Sequence, residues 1–179
     1  MNPRDEFPRT QCACTQCIAC CKTMPGMLIP GDPERILAHA PLPQDAVIPA
    51  QQLAQQFFAA SECALMVYQG QPLRIPTIVP AQNPDGHCVF LDADDRCCIH
   101  AFAPYGCSHF DTHQSRQEGD ARSVAGLRAI LTDRSGAYYG LWRFLLQQDR
   151  VASPLALRRA KLQAILNSLE EPDVEKPDR

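Results

Sequence analysis

The chain has 179 residues, 45% of them hydrophobic and 21% charged, which suits one domain with a packed core and excludes intrinsic disorder over most of its length. A formal net charge of −3 offers no basic footprint for nucleic acid. Ten cysteines are the departure from ordinary usage, too many for an average globular chain and too few for a small secreted disulfide scaffold.

At the N-terminus, Asp5 and Glu6 stand where a signal peptide has its basic region, and no apolar run follows. No stretch is long and apolar enough to span a bilayer. The expectation is a cytoplasmic protein with neither a membrane nor a nucleic-acid partner, its partner being an unidentified protein or small molecule. In a reducing cytosol, clustered cysteines point to metal ligands or catalytic thiols rather than to disulfides.

The strongest signal comes next, in Cys12-Ala-Cys14-Thr-Gln-Cys17-Ile-Ala-Cys20-Cys21. A two-residue spacer lets a tight turn aim two sulfurs at one ion while backbone N–H groups bond to the thiolates, and here it occurs twice in succession. Cys14, Cys17 and Cys20 reproduce the first three positions of a bacterial-ferredoxin run, but Cys21 follows at once instead of after three residues and a proline.

Thirteen of the sixteen prolines lie at or before Pro104. Pro41-Leu-Pro43 and the series Pro72, Pro76, Pro80, Pro84 break long regular elements. Gly31 to Leu37 reads as a short helix with Asp32 as N-cap and Pro33 at its first position. Ala50 to Ala60 reads as a second helix, and Leu73 to Val79 as an extended edge segment. Cys88 to Leu91 and Arg96 to Ile99 read as two short strands around the acidic turn Asp92-Ala-Asp-Asp95. No internal repeat is evident.

The remainder reads as three helices. Ser115-Arg-Gln-Glu118 is a capping box opening a helix to about Leu131, with Val124, Leu127, Ile130 and Leu131 on one face. Ser135 caps the next, whose apolar face is Tyr138, Tyr139, Leu141, Trp142, Leu145 and Leu146. Ser153-Pro154 opens the third, with Leu155, Leu162, Ile165 and Leu169 at helical spacing. The expected fold is mainly α, with an irregular, metal-organised, cysteine-rich half and at most a small β-hairpin. It forms a single cysteine-cluster domain over residues 1–169, comprising a metal-binding half (10–107) and a helical half (108–169), with a disordered tail at 170–179.

The motifs Cys14-Thr-Gln-Cys17-Ile-Ala-Cys20-Cys21, Cys88-Val-Phe-Leu91, Arg96-Cys97-Cys98-Ile99 and Pro104-Tyr-Gly-Cys107 resemble the YkgJ-type cysteine-cluster proteins, a family described as zinc- or iron-chelating with a CxxCxxCC signature. The resemblance covers roughly the first two-thirds of the chain. It marks Cys14, Cys17, Cys20, Cys21, Cys88, Cys97 and Cys107 as metal ligands, with Cys98, Cys12, His109 and His113 in reserve, and implies an iron–sulfur cluster or zinc as cofactor. The flagellin lysine methylases carry a similar cysteine pattern, a weaker guide to activity.

Three functions stay open on this reading: a metal-binding protein that is redox-linked, an enzyme (a thiol oxidoreductase or a methylase-like modifying enzyme), or a structural zinc module for interaction. Cys63 reads as a packed thiol, and His87 as a turn residue. His109, Asp111 and His113 alternate and would share one face of an extended segment beside Cys107, or else belong to a polar loop leading to Ser115. Asp92, Asp94 and Asp95 lack the glycine and terminal glutamate of an EF-hand and read as a solvated turn. No Walker, dinucleotide, HExxH or GxSxG motif occurs.

Overall fold

The structure is a computed structural model that describes residues 2–10, 21–23, 25–39, 50–61 and 63–152. Its elements in chain order begin with helices α1 (Pro3–Glu6), α2 (Asp32–Leu37) and α3 (Ala50–Phe57), followed by strands β1 (Phe58–Ala60), β2 (Ala64–Tyr68), β3 (Gln71–Ile75) and β4 (Ile78–Pro80). A 3₁₀ turn at His100–Phe102 leads into helices α4 (Tyr105–Ser108), α5 (Arg116–Leu131) and α6 (Ala137–Ala152). No described helix is long and apolar enough to cross a membrane. The third helix expected from Ser153 and the tail at 170–179 lie outside the described residues.

The expectation of a mainly α fold with at most one small hairpin is corrected by two antiparallel sheets. β1 pairs with β4 (Phe58 opposite Pro80, Ala60 opposite Ile78), and β2 pairs with β3 (Ala64 opposite Ile75, Tyr68 opposite Gln71). The prolines did not forbid these strands because each sheet has only two, so every strand keeps one unpaired edge where a missing N–H costs nothing. The β2–β3 turn is a two-residue loop with Gln69 at φ 51° and Gly70 at φ 77°, the left-handed pair that matches strand twist. The helix expected to run to Ala60 ends at Phe57, where β1 begins.

The described part of the cysteine-rich half is therefore not irregular, since it supplies most of an apolar core. Leu28, Ile36, Phe58, Ile75, Ile78, Phe90 and Ile99 are all buried in one cluster that Tyr138 and Leu145 of α6 close. Phe57 and Phe90 stack at 5.2 Å. Leu28 and Ile78 meet in a ladder with one hydroxyl spliced into it. The Leu28 N–H donates to Ile78 O (2.8 Å), while the Ile78 N–H donates to Tyr138 Oη (2.9 Å), which in turn donates to Leu28 O (2.8 Å). That inserted hydroxyl joins α6 to the core backbone.

α5 starts at the capping box read from sequence. Ser115 Oγ accepts from the Glu118 N–H, and the Glu118 carboxylate accepts from the Ser115 N–H. Its inward face differs from the expected one, for Val124 and Leu131 are exposed while Arg122, Ala125, Gly126, Leu127 and Ile130 are buried. Arg122 is accommodated by donating to Pro8 O (2.9 Å) and lying over the Phe7 ring at 5.1 Å, which shifts the buried stripe toward the N-terminal segment.

Candidate metal centre

Cys88 and Cys97 occupy equivalent positions in a tandem nine-residue repeat, Gln82–Phe90 followed by Leu91–Ile99, which corrects the expectation of no internal repeat. Each unit opens with a turn in which the N–H of its second residue bonds the carbonyl four residues on: Asn83 to His87 O at 2.7 Å, Asp92 to Arg96 O at 2.9 Å. Each then places a positive φ at the same position (Gly86, 88°; Asp95, 60°). Each closes with an isolated bridge onto its cysteine, Gln82 to Cys88 and Leu91 to Cys97.

After each cysteine the chain turns back on itself. The Leu91 N–H donates to Cys88 O (3.0 Å) and the His100 N–H to Cys97 O (3.1 Å). The Phe90 amide lies against the Cys88 sulfur and the Ile99 amide against that of Cys97, the arrangement that stabilises a thiolate on a metal. Phe90 and Ile99, at matching places, are the buried plugs that fix each turn. In this repeat Cys98 occupies the place of Val89, and it is exposed. The repeat thus separates Cys97, with the geometry of Cys88, from Cys98.

Cys107 reaches the same region through two glycines. The Gly106 N–H donates to Met27 O (2.8 Å), and the Gly26 N–H donates to Cys107 Sγ (3.2 Å). A Cβ on Gly26 would fall 2.1 Å from the Gly106 carbonyl carbon, and one on Gly106 would fall 2.3 Å from Met27 N. Only glycine permits this backbone contact. The α4 turn that carries Cys107 is anchored by Asp32, whose buried carboxylate accepts from the Tyr105 N–H (2.8 Å), the Ile29 N–H (3.1 Å), Arg4 (2.7 Å) and Arg35 (2.8 Å). Gly31, with φ 87°, is the N-cap residue of α2, so Asp32 does not cap its own helix as expected from sequence.

The first cysteine segment is pinned at both ends to this region. Before it, the Thr10 N–H donates to Ser108 O (2.8 Å), beside Cys107, and Arg9 donates to the carbonyls of His100 and Ala101. After it, Cys21 O accepts from the Cys88 N–H (2.7 Å), and Lys22 pairs with Asp95. Cys12, Cys14, Cys17 and Cys20 lie outside the described residues.

The described thiols feel one another. Burial, with smaller contributions from the neighbouring Cys21 and Cys98, pushes Cys88 up to about 12 and Cys97 up to about 11. Cys107 is raised well above 9 by burial, with Cys21, Cys88 and Cys97 adding to it. Cys98 is raised by partial burial. Among the described residues, no group of three or more His, Cys, Asp or Glu side chains is close enough to hold a metal ion. Cys21, Cys88, Cys97 and Cys107 form a neighbourhood of thiols, not a closed site.

The histidines part company. His109 is buried, stacked on Tyr105 at 4.6 Å, with Nδ1 2.9 Å from Ser108 Oγ. Burial, with the charges of Arg4, Arg122 and Arg9, lowers it to about 4, so it is neutral near pH 7. His113 is exposed in a turn where its N–H donates to Asp111 Oδ1 (2.8 Å). The shared extended face of His109, Asp111 and His113 is thus replaced by a helical turn and an Asx turn. Cys63 is partly buried at φ 75°, away from the repeat in sequence and at the entrance to β2.

Sequence reasoning missed the repeat, the Gly26–Gly106 contact, the hub at Asp32 and the role of Arg9. The repeat had a signal: Asn83 and Asp92, Asp85 and Asp94, Cys88 and Cys97, Phe90 and Ile99 all recur at nine residues. The glycine contact had a fainter one, a glycine directly before Cys107.

No curated protein and no solved structure matches the chain. A family model with the description "Putative zinc- or iron-chelating domain" matches residues 13–125, more than half the chain and every cysteine but Cys12. On that match the chain belongs to the CxxCxxCC family.

Proposed function

We propose that this protein holds a metal–thiolate centre built across two chain segments, with Cys14, Cys17, Cys20 and Cys21 from the first and Cys88, Cys97 and Cys107 from the second. The observation that carries this reading is the double anchoring of the first segment. Thr10 is bonded beside Cys107 and Cys21 beside Cys88, so the stretch carrying Cys14, Cys17 and Cys20 begins and ends at the second cysteine group.

The donor set fits a thiophilic metal. Backbone amides face the sulfurs of Cys88, Cys97 and Cys107, and thiols held protonated by burial ionise when a metal supplies the compensating charge. The same burial runs against a thiol oxidoreductase, which needs a thiolate at neutral pH. Seven thiolates exceed the four that one tetrahedral zinc takes. One iron–sulfur cluster also takes four, so the count does not separate the two; the Cys14, Cys17 and Cys20 spacing favours an iron–sulfur cluster, whose chemistry would be one-electron redox. The three sulfurs of the second group and Cys21 would contribute ligands, and the repeat would hold Cys88 and Cys97 in register.

Elemental analysis with an optical spectrum on anaerobically purified protein tests this. The expected result is iron and acid-labile sulfide with visible charge-transfer absorption. Colourless protein with stoichiometric zinc would refute the cluster while leaving the thiolate centre standing. Protein with neither metal, and unable to take either up after reduction, would refute both.

A further inference from the structure

Arg9 stands at the junction of the two cysteine segments. It is three residues ahead of Cys12, and its two terminal nitrogens donate to the carbonyls of His100 and Ala101, directly after the Cys97 turn. It is partly buried. The neighbouring guanidiniums have other work, since Arg4 and Arg35 share the Asp32 carboxylate and Arg122 donates to Pro8 O. Arg9 has no carboxylate among its described partners.

We propose that Arg9 is a positioning residue of the thiolate centre, clamping the start of the first cysteine segment to the Cys97 turn. The inference rests on the metal-binding reading above. Its planar fork bonds two adjacent carbonyls at once. A partner that orients a ligand without touching the metal commonly changes affinity by about 10–100-fold.

The test compares Arg9→Gln, which removes the charge but keeps a donor, with Arg9→Lys, which keeps the charge but loses the fork. Arg116→Gln, at an exposed helix position, is the control for net charge. Zinc ion is the probe, with affinity read by competition against a chromophoric chelator across pH and the fold checked by near-ultraviolet circular dichroism on the metal-free, reduced chain. Arg9→Gln is expected to bind zinc at least about tenfold more weakly, through loss of the fork that holds the two carbonyls. Arg9→Lys, which keeps the charge without the fork, should also bind more weakly while the near-ultraviolet signal of the metal-free chain stays unchanged, and Arg116→Gln should bind like the unaltered chain. Arg9→Gln or Arg9→Lys binding zinc like the unaltered chain would overturn the proposal. An unaltered chain that takes up no zinc or iron would instead overturn the metal reading, and this inference with it.

Discussion

Replacing Gly106 by alanine tests how Cys107 is brought to the other thiols. The added carbon would stand 2.3 Å from Met27 N, 2.7 Å from the Gly26 carbonyl carbon and 2.9 Å from Gly26 Cα, all backbone atoms that no rotamer change can move. The segments must separate by about 1 Å to reach ordinary contact distances. Overpacking of this kind costs about 1–3 kcal/mol. Separation also loosens two bonds, Gly106 N–H to Met27 O and Gly26 N–H to Cys107 Sγ, each contributing about 1 kcal/mol, so the expected total is about 3 kcal/mol. Gly119→Ala makes the same chemical change in α5 with nothing within 4 Å, and it should stabilise by about 0.5–1 kcal/mol. Urea denaturation of the reduced, metal-free proteins gives both values, and zinc competition shows whether the loosened Cys107 also weakens binding. A Gly106→Ala loss below about 0.5 kcal/mol with unchanged zinc affinity would refute the close-approach argument.

Asp32→Ala should destabilise by about 3 kcal/mol or more, because it leaves Arg4 and Arg35 without their shared carboxylate and two buried amides without an acceptor. Tyr138→Phe should cost about 2–3 kcal/mol through the Ile78 N–H and Leu28 carbonyl it orphans, read by urea denaturation, and a neutral result would remove the spliced hydroxyl from the account. The metal-free protein should lose stability in alkali. Cys88 and Cys97 hold their protons to about 12 and about 11, against an ordinary value of 9.0, so their contribution is whole below pH 9 and disappears as pH rises through the folded values. Thermal melts of reduced, metal-free protein from about pH 8 to about pH 10.5 should fall steadily, and a rising melting temperature would contradict the burial of these thiols.

How much of this was legible in the sequence depends on the range of the interactions concerned. The α5 capping box is local, a serine and a glutamate three residues apart, and sequence reading found it. The strands were hidden by prolines, whose usual meaning fails in two-stranded sheets. The family motif named the cysteines, but the reason for Cys97 over Cys98 lies in a repeat that becomes evident when its turns and positive φ values are aligned. Asp32 looked like a helix cap because an acidic residue before a proline is one locally. Its actual partners include Tyr105, 73 residues away, and no local rule reaches that far. His109 looked like a ligand by adjacency to Cys107, but stacking on Tyr105 takes it into the core. At Asp32 a long-range contact decided what a local pattern left open.

X-ray absorption at the metal edge of the loaded protein tests the central claim most directly. A centre built across both segments predicts a first shell of sulfur alone at about 2.3 Å, lost or diminished when Cys88, Cys97 or Cys107 is changed to serine and unaltered in Cys63→Ser. A first shell containing nitrogen or oxygen in the unaltered protein, or one indifferent to those three substitutions, would contradict it.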